Sequence, residues 1–344
     1  MKAAVLHEEK RELEILDVAT PEPGPGEVRV QVCSCGVCGS DVHLVLHRTM
    51  RATHYPRIPG HESAGIVDAV GPDVSNFKAG DRVIIAAGTS CGKCKHCLSG
   101  RFNLCPQVGV LGFDCDGSYA EQVIAPARLL VPLPESIPFE HGAILADCVS
   151  TPYHALKFAG NMQTGERVAI FGCGGLGIHA ILLARALGAA HVTAFDVDEG
   201  ALQNARDFGA DAVVDARSVR SVGKELKKLG DVDLICDFSG YYKNITDSLR
   251  ALTPGGRAVM VGISSGKMDI AIPALMIFKQ LRISGSYGCD SRALPELVEL
   301  IADGKLDLSR SITSTHSLEE VNECLHNLDE RNGNPVRYVI DPTA

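Results

Sequence analysis

The chain has 344 residues, enough for two domains of ordinary size, and its 45% hydrophobic and 22% charged content is that of a globular protein. A net charge of −9 argues against a nucleic-acid groove or a polybasic membrane patch, and no apolar run approaches the roughly 20 residues of a membrane span. The apolar stretch after Met1 is too short for a signal peptide, so the 13 cysteines favour a reducing compartment. We therefore expect a cytoplasmic protein whose clustered cysteines bind metal rather than form disulfides.

Strands and turns are predicted for about the first 150 residues. Residues 27–32 alternate between apolar and polar side chains, as a half-buried strand does. Residues 64–85 contain two further apolar runs, separated by Gly and Pro turn signals. This part of the chain therefore reads as mainly β.

Beyond about residue 150 the pattern changes to alternating strands and helices. Strands are predicted at residues 167–171, 191–195, 211–214, 232–236 and 257–262, and helices at residues 178–187, 219–229 and 245–252. Such alternation predicts a parallel sheet with helices on both faces. From about residue 286 a helix at residues 294–302 is mixed with short strand-like runs.

Four cysteines lie in one short run, with the spacing C-x2-C-x2-C-x7-C: Cys91, Cys94, Cys97 and Cys105. Four thiolates can close a tetrahedral cage around one zinc ion, and such a site is full and cannot bind a substrate. The alternative, a zinc module for nucleic acid, does not fit a chain of charge −9. We therefore expect a structural zinc here and other ligands for any metal that does chemistry.

A glycine-rich turn follows the strand predicted at residues 167–171 and opens a helix. It contains G-x-G-x-x-G as Gly172, Gly174 and Gly177, with Gly175 and Leu176 between the last two. These glycines permit a tight turn, the approach of a pyrophosphate, and close packing of helix on strand. The interpretation is a dinucleotide site; a turn with only a structural role is the alternative.

An acidic residue selects the type of dinucleotide. Asp196 ends the next predicted strand, and no Arg or Lys occurs from residue 197 to 204. A carboxylate there hydrogen-bonds the ribose hydroxyls of adenosine and repels a 2′-phosphate. We therefore expect NAD rather than NADP.

A second set of metal ligands is indicated earlier in the chain. Cys38 follows a predicted strand, and His61 lies in the segment Gly-His-Glu-Ser-Ala-Gly, whose first residue, Gly60, comes 22 residues after Cys38. A catalytic zinc takes three protein ligands and leaves one position open. With the cysteine run and the glycine turn, the chain resembles the zinc-dependent medium-chain alcohol dehydrogenase family over essentially its whole length.

The resemblance implies the ligands of a catalytic zinc. Cys38 and His61 match the first two. The third stands, in the family, four residues before a threonine that contacts the nicotinamide. Counting back from Thr151 gives Asp147, and the neighbouring Cys148 is the alternative, since many members have Cys and some have Asp at this position.

The resemblance also assigns roles around the metal and the cofactor. Glu62 matches a residue that in some members approaches or transiently joins the metal, and Asp41 matches the acid that orients the ligating histidine. Ser40 and His43 match a proton relay, in which Ser40 takes the alcohol proton and His43 delivers it to solvent. Arg337 resembles a late arginine that contacts the pyrophosphate.

The implied architecture has two parts. A GroES-like, mainly-β catalytic domain would be discontinuous, formed by residues 1–148 and 286–344, with the structural-zinc lobe at residues 91–105. A Rossmann domain, with a doubly wound parallel sheet that binds NAD, would occupy residues 149–285. Members of the family are dimers or tetramers, and a homotetramer with two zinc ions per chain is expected.

The implied activity is the reversible oxidation of a small-molecule alcohol to an aldehyde or ketone, with hydride transfer to NAD. A polyol or sugar dehydrogenase of the same family is one alternative, although those often carry Glu-Pro where this chain has Asp147 and Cys148. A non-catalytic, zinc-stabilised relative is the other; the intact Ser40 and His43 relay argues against it.

Overall fold

The computed structural model describes residues 1–270 and 272–344. Contacts divide the chain into two compact units: unit 1 is Met1–Ser150 with Gly288–Ala344, and unit 2 is Thr151–Tyr287. Each unit buries a hydrophobic cluster of its own. The predicted domain boundaries, at 148/149 and 285/286, lie two residues from these divisions.

The strands are, in chain order, β1 Lys2–Val5, β2 Glu14–Asp17, β3 Glu27–Gly36, β4 Glu62–Val70, β5 Arg82–Ile85, β6 Gly88–Thr89, β7 Gly109–Val110, β8 Gln122–Pro126, β9 Leu130–Pro132, β10 Arg167–Phe171, β11 His191–Asp196, β12 Ala212–Asp215, β13 Val232–Asp237, β14 Leu252–Met260, β15 Arg282–Gly285, β16 Ser314–Ser317 and β17 Tyr338–Asp341.

The α-helices are α1 Gly39–Val42, α2 Lys95–Leu98, α3 Phe139–Ile144, α4 Ser150–Tyr153, α5 Gly175–Ala186, α6 Glu199–Asp207, α7 Val222–Leu229, α8 Lys243–Ser248, α9 Pro273–Lys279, α10 Ala293–Ala302 and α11 Val321–Asp329. Wider π-helical turns occupy His43–His47, Leu145–Val149 and His154–Ala159. Among the described residues, no helix combines the length and the apolar character needed to cross a lipid bilayer.

Unit 1 is built on a seven-stranded sheet with the order β16-β17-β3-β4-β5-β9, and β8 also pairs with β3. The alternation predicted for the first long strand is confirmed in β3, where Val28, Val30 and Val32 are fully buried. In the antiparallel β3–β4 ladder Gly36 lies opposite Glu62. The residues that follow β3 and those that precede β4 therefore meet at one edge of the sheet.

Unit 2 contains the parallel sheet that the alternating pattern predicts. Its six strands are all parallel, in the order β12-β11-β10-β13-β14-β15. The direction of winding reverses at β10, and in doubly wound sheets a ligand binds at the carboxyl edge beside such a reversal. The fold class, a mainly-β GroES-like unit with a Rossmann unit, is confirmed.

The helix predicted at residues 245–252 is partly wrong. Helix α8 ends at Ser248, a 3₁₀ turn covers Leu249–Ala251, and Leu252 already belongs to β14. Leu252 is fully buried and pairs with Val232 of β13. The β13–β14 ladder is irregular directly after this pair, and the irregularity accommodates the Pro-Gly-Gly segment inside the strand. Pairing within the sheet thus outweighs the turn that Pro-Gly-Gly would favour by itself.

Candidate metal and nucleotide sites

Four possible metal ligands come together in unit 1. Cys38 lies between β3 and α1, His61 directly precedes β4, Glu62 opens β4, and Asp147 lies in the π-helical turn Leu145–Val149. One ligand atom from each lies within 4.8 Å of the others. Residues from three distant segments thus form one cluster.

The distances in this cluster suit ligands that surround one ion. Cys38 Sγ lies 3.9 Å from Asp147 Oδ2, and His61 Nε2 lies 3.8 Å from the same oxygen. Two ligands of a tetrahedral zinc ion, each about 2.0–2.3 Å from the metal, lie roughly 3.6 Å apart. Zinc in proteins is bound by cysteine thiolates, histidine imidazoles and carboxylate oxygens. The residues of this cluster therefore fit a zinc ion.

The opposite side of the imidazole faces a buried carboxylate. His61 Nδ1 lies 3.3 Å from Asp41 Oδ1, in a geometry too poor to count as a hydrogen bond. Asp41 Oδ2 accepts from the Cys38 backbone N–H at 3.0 Å and from the Tyr119 hydroxyl at 2.9 Å. Asp41 is thus held beside the histidine, as expected of an acid that orients a metal ligand.

The electrostatics of His61 follow from these neighbours. Burial alone would lower the pKa of His61, but the charge of Asp41 and the hydrogen-bonding contact with Asp147 outweigh it. The pKa of His61 therefore lies well above its ordinary value. A metal ion that binds here has to displace a proton from the ring.

Glu62 is fully buried beside the cluster. Among the described residues, neither of its carboxylate oxygens has a hydrogen-bond partner. Arg337 Nη2 lies 3.5 Å from Glu62 Oε1, an ionic contact of long distance. Burial raises the pKa of Glu62 to about 7, although the charge of Arg337 acts in the opposite direction. A buried carboxylate without a hydrogen bond, next to possible metal ligands, is a further sign of a cation site.

The two candidates for the third ligand point in different directions. Asp147 directs a carboxylate oxygen into the cluster, and its side chain is 21% exposed. Cys148 is fully buried, and its sulfur accepts from Nε and Nη2 of Arg337 at 3.2 and 2.6 Å. The geometry therefore groups Asp147, and not Cys148, with Cys38 and His61.

The residues of the expected proton relay flank this cluster. Ser40 Oγ lies 3.3 Å from His61 Nε2. His43 is exposed to solvent, and its Nδ1 lies 3.0 Å from Thr49 Oγ1. One member thus lies beside the cluster and the other at the surface.

The four cysteines of the lobe also converge, with one sulfur from each within 4.8 Å of the others. The sulfur of Cys97 lies 3.9 Å from that of Cys91 and 3.5 Å from that of Cys94. Ligands of a zinc tetrathiolate lie about 3.8 Å apart, so this donor set also fits zinc. Backbone N–H groups of Lys93 and Cys94 lower the pKa of Cys91 to about 6, which favours the thiolate.

The glycine turn lies in unit 2, between β10 and α5. Gly172 has a φ of +87°, in the region that favours glycine. A Cβ on Gly177 would lie 1.7 Å from the carbonyl oxygen of Gly172, whereas a Cβ on Gly174 would meet nothing within 4 Å. The packing of the protein requires the first and third glycines only. Open space at the second, before the N-terminus of a 12-residue helix, suits a pyrophosphate. Gly175 and Leu176 form the first turn of α5.

Asp196 ends β11, and its carboxylate ties the glycine turn to the next loop. Its Oδ2 accepts from the Cys173 N–H at 2.6 Å, and its Oδ1 accepts from Val197 and Asp198 at 2.7 and 3.0 Å. Asp196 as a whole is 6% exposed. The contact that the sequence suggested, with a ribose, stays a prediction.

Two residues predicted to contact the cofactor lie in different units. Thr151, at the start of unit 2, is buried. Arg337 belongs to unit 1 and is 2% exposed, with donors directed to Cys148 and to the carbonyl oxygen of Val37. Their contacts with nicotinamide and pyrophosphate stay predictions.

Sequence reasoning missed two neighbours of the metal cluster. Tyr119 holds Asp41, and the ring of Phe113 meets His61 edge-on at 5.8 Å. No spacing or periodicity connects these residues with the motifs. Only their position in the folded unit reveals them.

Two family profiles match the chain. The first, described as the alcohol dehydrogenase GroES-like domain, matches residues 24–135, and the second, described as zinc-binding dehydrogenase, matches residues 175–303. The first lies within unit 1, and the second covers most of unit 2 and the start of the next segment.

Curated relatives match nearly the whole chain. L-idonate 5-dehydrogenase of Vitis vinifera is 33% identical over 96% of this chain and 92% of its own length. An alcohol dehydrogenase of Geobacillus stearothermophilus is 35% identical over 96% of both chains.

Solved structures agree with this similarity. An alcohol dehydrogenase from E. coli CFT073, complexed with NADH, has a TM-score of 0.90 and 25% identity over 99% of both chains. A zinc-binding dehydrogenase from Sinorhizobium meliloti 1021, bound to NADP, has a TM-score of 0.87 and 29% identity over 99% of both chains. Similar folds thus hold either dinucleotide.

Proposed function

The chain belongs to the zinc-dependent medium-chain alcohol dehydrogenase family and is a zinc oxidoreductase acting on CH–OH donors, and we propose that it reversibly oxidises an alcohol to an aldehyde or ketone with hydride transfer to NAD. The observation that carries the proposal is the convergence of Cys38, His61 and Asp147, whose ligand atoms lie within 4.8 Å of one another. A binding protein has no need of such a mixed, three-residue set beside a serine hydroxyl.

The proposed zinc ligands are Cys38 Sγ, His61 Nε2 and Asp147 Oδ2, with Glu62 as an alternate ligand. A zinc ion at this point would favour loss of the alcohol proton and polarise a carbonyl. The chain's own contribution is to bury Cys38 and His61 and to orient His61 with Asp41. A second zinc, held by the four cysteines, would have a structural role.

Proton transfer is assigned to two residues of this chain. Ser40 Oγ, beside His61, would accept the alcohol proton. The exposed His43 would release it to solvent, since histidine, with an ordinary pKa of about 6.5, changes charge near neutral pH. A ribose hydroxyl of the cofactor would connect the two.

The cofactor is proposed to be NAD, with its pyrophosphate at the turn formed by Gly172, Gly174 and Gly177. The support is the open space at Gly174, the carboxylate of Asp196 and the absence of Arg and Lys from residue 197 to 204. A nicotinamide ring supplies the hydride chemistry when bound, and the protein orients it. Thr151 keeps its proposed contact with the nicotinamide, whereas Arg337, buried with its donors directed to Cys148 and to the carbonyl oxygen of Val37, is not assigned a contact with the pyrophosphate.

A polyol or sugar is the second candidate substrate. Its support is the 33% identity with L-idonate 5-dehydrogenase of Vitis vinifera, which is close to the identity with alcohol dehydrogenases. The Asp147–Cys148 pair differs from the Glu-Pro expected in polyol dehydrogenases, and favours the simple alcohol.

A homotetramer in the cytoplasm is also proposed. All thirteen cysteines, each within the described part of the chain, are free of disulfides, which is typical of a reducing compartment. Gel filtration with light scattering would measure the subunit number, and a dimer would contradict the proposed tetramer.

The test is NADH formation with primary, secondary, aromatic and polyol substrates, with zinc measured on the same sample. Two zinc ions per chain with turnover on simple alcohols support the proposal. Turnover only on polyols favours the second candidate. A larger kcat/KM with NADP than with NAD would contradict the cofactor assignment, and one zinc ion per chain without turnover would contradict the catalytic site.

A further inference from the structure

A buried arginine lies behind the proposed zinc site. Arg337 directly precedes β17, and its side chain is only 3% exposed. Burying a charged side chain costs free energy unless hydrogen bonds and ion pairs compensate for the lost water. The acceptors of this guanidinium are therefore the groups that it holds in place.

Arg337 contacts three separate segments of unit 1. Its Nη1 donates to the carbonyl oxygen of Val37 at 2.7 Å. Its Nε and Nη2 donate to Cys148 Sγ at 3.2 and 2.6 Å. Its Nη2 also lies 3.5 Å from Glu62 Oε1. One rigid fork of donors thus connects the three segments.

Each of these three partners is next in sequence to one proposed zinc ligand: Val37 precedes Cys38, Glu62 follows His61, and Cys148 follows Asp147. The ligands come from positions far apart in the chain. The guanidinium touches the backbone or side chain of a residue beside every one of them.

We propose that Arg337 is the positioning residue that assembles the zinc site, with the sulfur of Cys148 as its anchor. This inference rests on the proposed function, because it concerns the same three ligands. The planar fork fixes three acceptors at once, whereas a lysine ammonium is a point charge on a flexible stem and cannot span them. Removal of the fork should let the ligand segments move apart.

The contact with the sulfur of Cys148 separates this proposal from an alternative in which Arg337 only neutralises the charge of Glu62. The contacts with Val37 and Cys148 are shorter than the contact with Glu62. If the arginine served only to neutralise the carboxylate, loss of the sulfur at position 148 would leave the metal site unchanged.

The experiment measures Co²⁺ binding to the full-length chain by competition with a chelator, together with the visible spectrum of the bound ion. The band of this site is identified by its loss in Cys38→Ser. The variants are Arg337→Lys, Cys148→Ala and Cys148→Ser. The matched control is Arg29→Lys, because Arg29 bonds Asp68 at 2.9 Å in the same unit and does not contact the cluster.

We expect Arg337→Lys to weaken Co²⁺ binding roughly 10–100-fold and to shift the band, as loss of a group that supports metal ligands does. Cys148→Ala should change both in the same direction, and Cys148→Ser, whose hydroxyl can accept a hydrogen bond, should recover part of the loss. Arg29→Lys should change neither.

Wild-type affinity and an unshifted band in both Arg337→Lys and Cys148→Ala would overturn the inference, even if thermal stability falls. Because Cys148→Ala keeps the arginine, it gives the answer if Arg337→Lys does not fold. A wild-type chain without the Cys38-dependent band would instead contradict the proposed function itself.

Discussion

The two groups of metal ligands in unit 1 differ in how the chain brings them together. The lobe takes Cys91, Cys94, Cys97 and Cys105 from one short segment. The cluster of Cys38, His61 and Asp147 draws on three segments and lies beside a buried carboxylate and a buried arginine.

This difference separates two tasks. A short loop with four identical ligands can close around an ion without help, but it leaves no position for a substrate. A mixed set of three ligands leaves one position open, and it needs the surrounding unit to hold it in place. The lobe should therefore act on stability, and the cluster on chemistry.

The largest expected effect is that of Cys38→Ser. Loss of this ligand should lower kcat by roughly 10³-fold or more, because a bound metal supplies several kcal/mol of transition-state stabilisation. The melting temperature should change by only a few degrees. Cys33→Ser is the control, since this half-buried thiol belongs to neither group. Turnover retained in Cys38→Ser would contradict the assignment of chemistry to the cluster of Cys38, His61 and Asp147.

Cys94→Ser should give the opposite result. A structural zinc contributes to folding, so its loss should lower the melting temperature by roughly 5–10 °C. Turnover measured well below that temperature should stay within about threefold of wild type. Calorimetry and initial rates on one preparation test both expectations. A folded variant without activity would show that the lobe takes part in chemistry.

The glycine turn of unit 2 tests the same separation within one motif. Gly177→Ala places a Cβ 1.7 Å from the oxygen of Gly172 and should destabilise the fold by about 3 kcal/mol. Gly174→Ala meets no atom within 4 Å, so stability should change by less than about 0.5 kcal/mol while the KM for NAD rises. Denaturant unfolding and cofactor titration measure the two effects. Equal KM values for the wild type and Gly174→Ala would contradict the pyrophosphate assignment.

The smallest expected effect concerns the metal-free lobe. The pKa of Cys91 lies at about 6, because backbone N–H groups stabilise its thiolate, whereas burial raises the pKa of Cys33. The thiolate fraction of Cys91 therefore rises as pH increases through about 6. At pH 7 its alkylation should be about tenfold faster than that of Cys33, and bound zinc should protect it. Mass spectrometry of the peptides gives both rates; equal rates would contradict the lowered pKa.

Much of the fold was predictable from local patterns, whereas the mixed cluster of metal ligands was expected only from the family resemblance. The alternation of strands and helices predicted the parallel sheet, which the structure confirms. The β14 boundary was not predictable in the same way, because Leu252 joins the sheet through a pairing with Val232 that opposes its local turn signal.

The amino-acid sequence alone determined what is encoded within a short segment: the four-cysteine run, the glycine turn and the strand that precedes it. Spacing specifies these features because their atoms meet through local backbone geometry. Only the tertiary structure groups Asp147 with Cys38 and places Arg337 beside Cys148. Those contacts join residues up to 300 positions apart, and they depend on sheet register and side-chain packing, which no local pattern records.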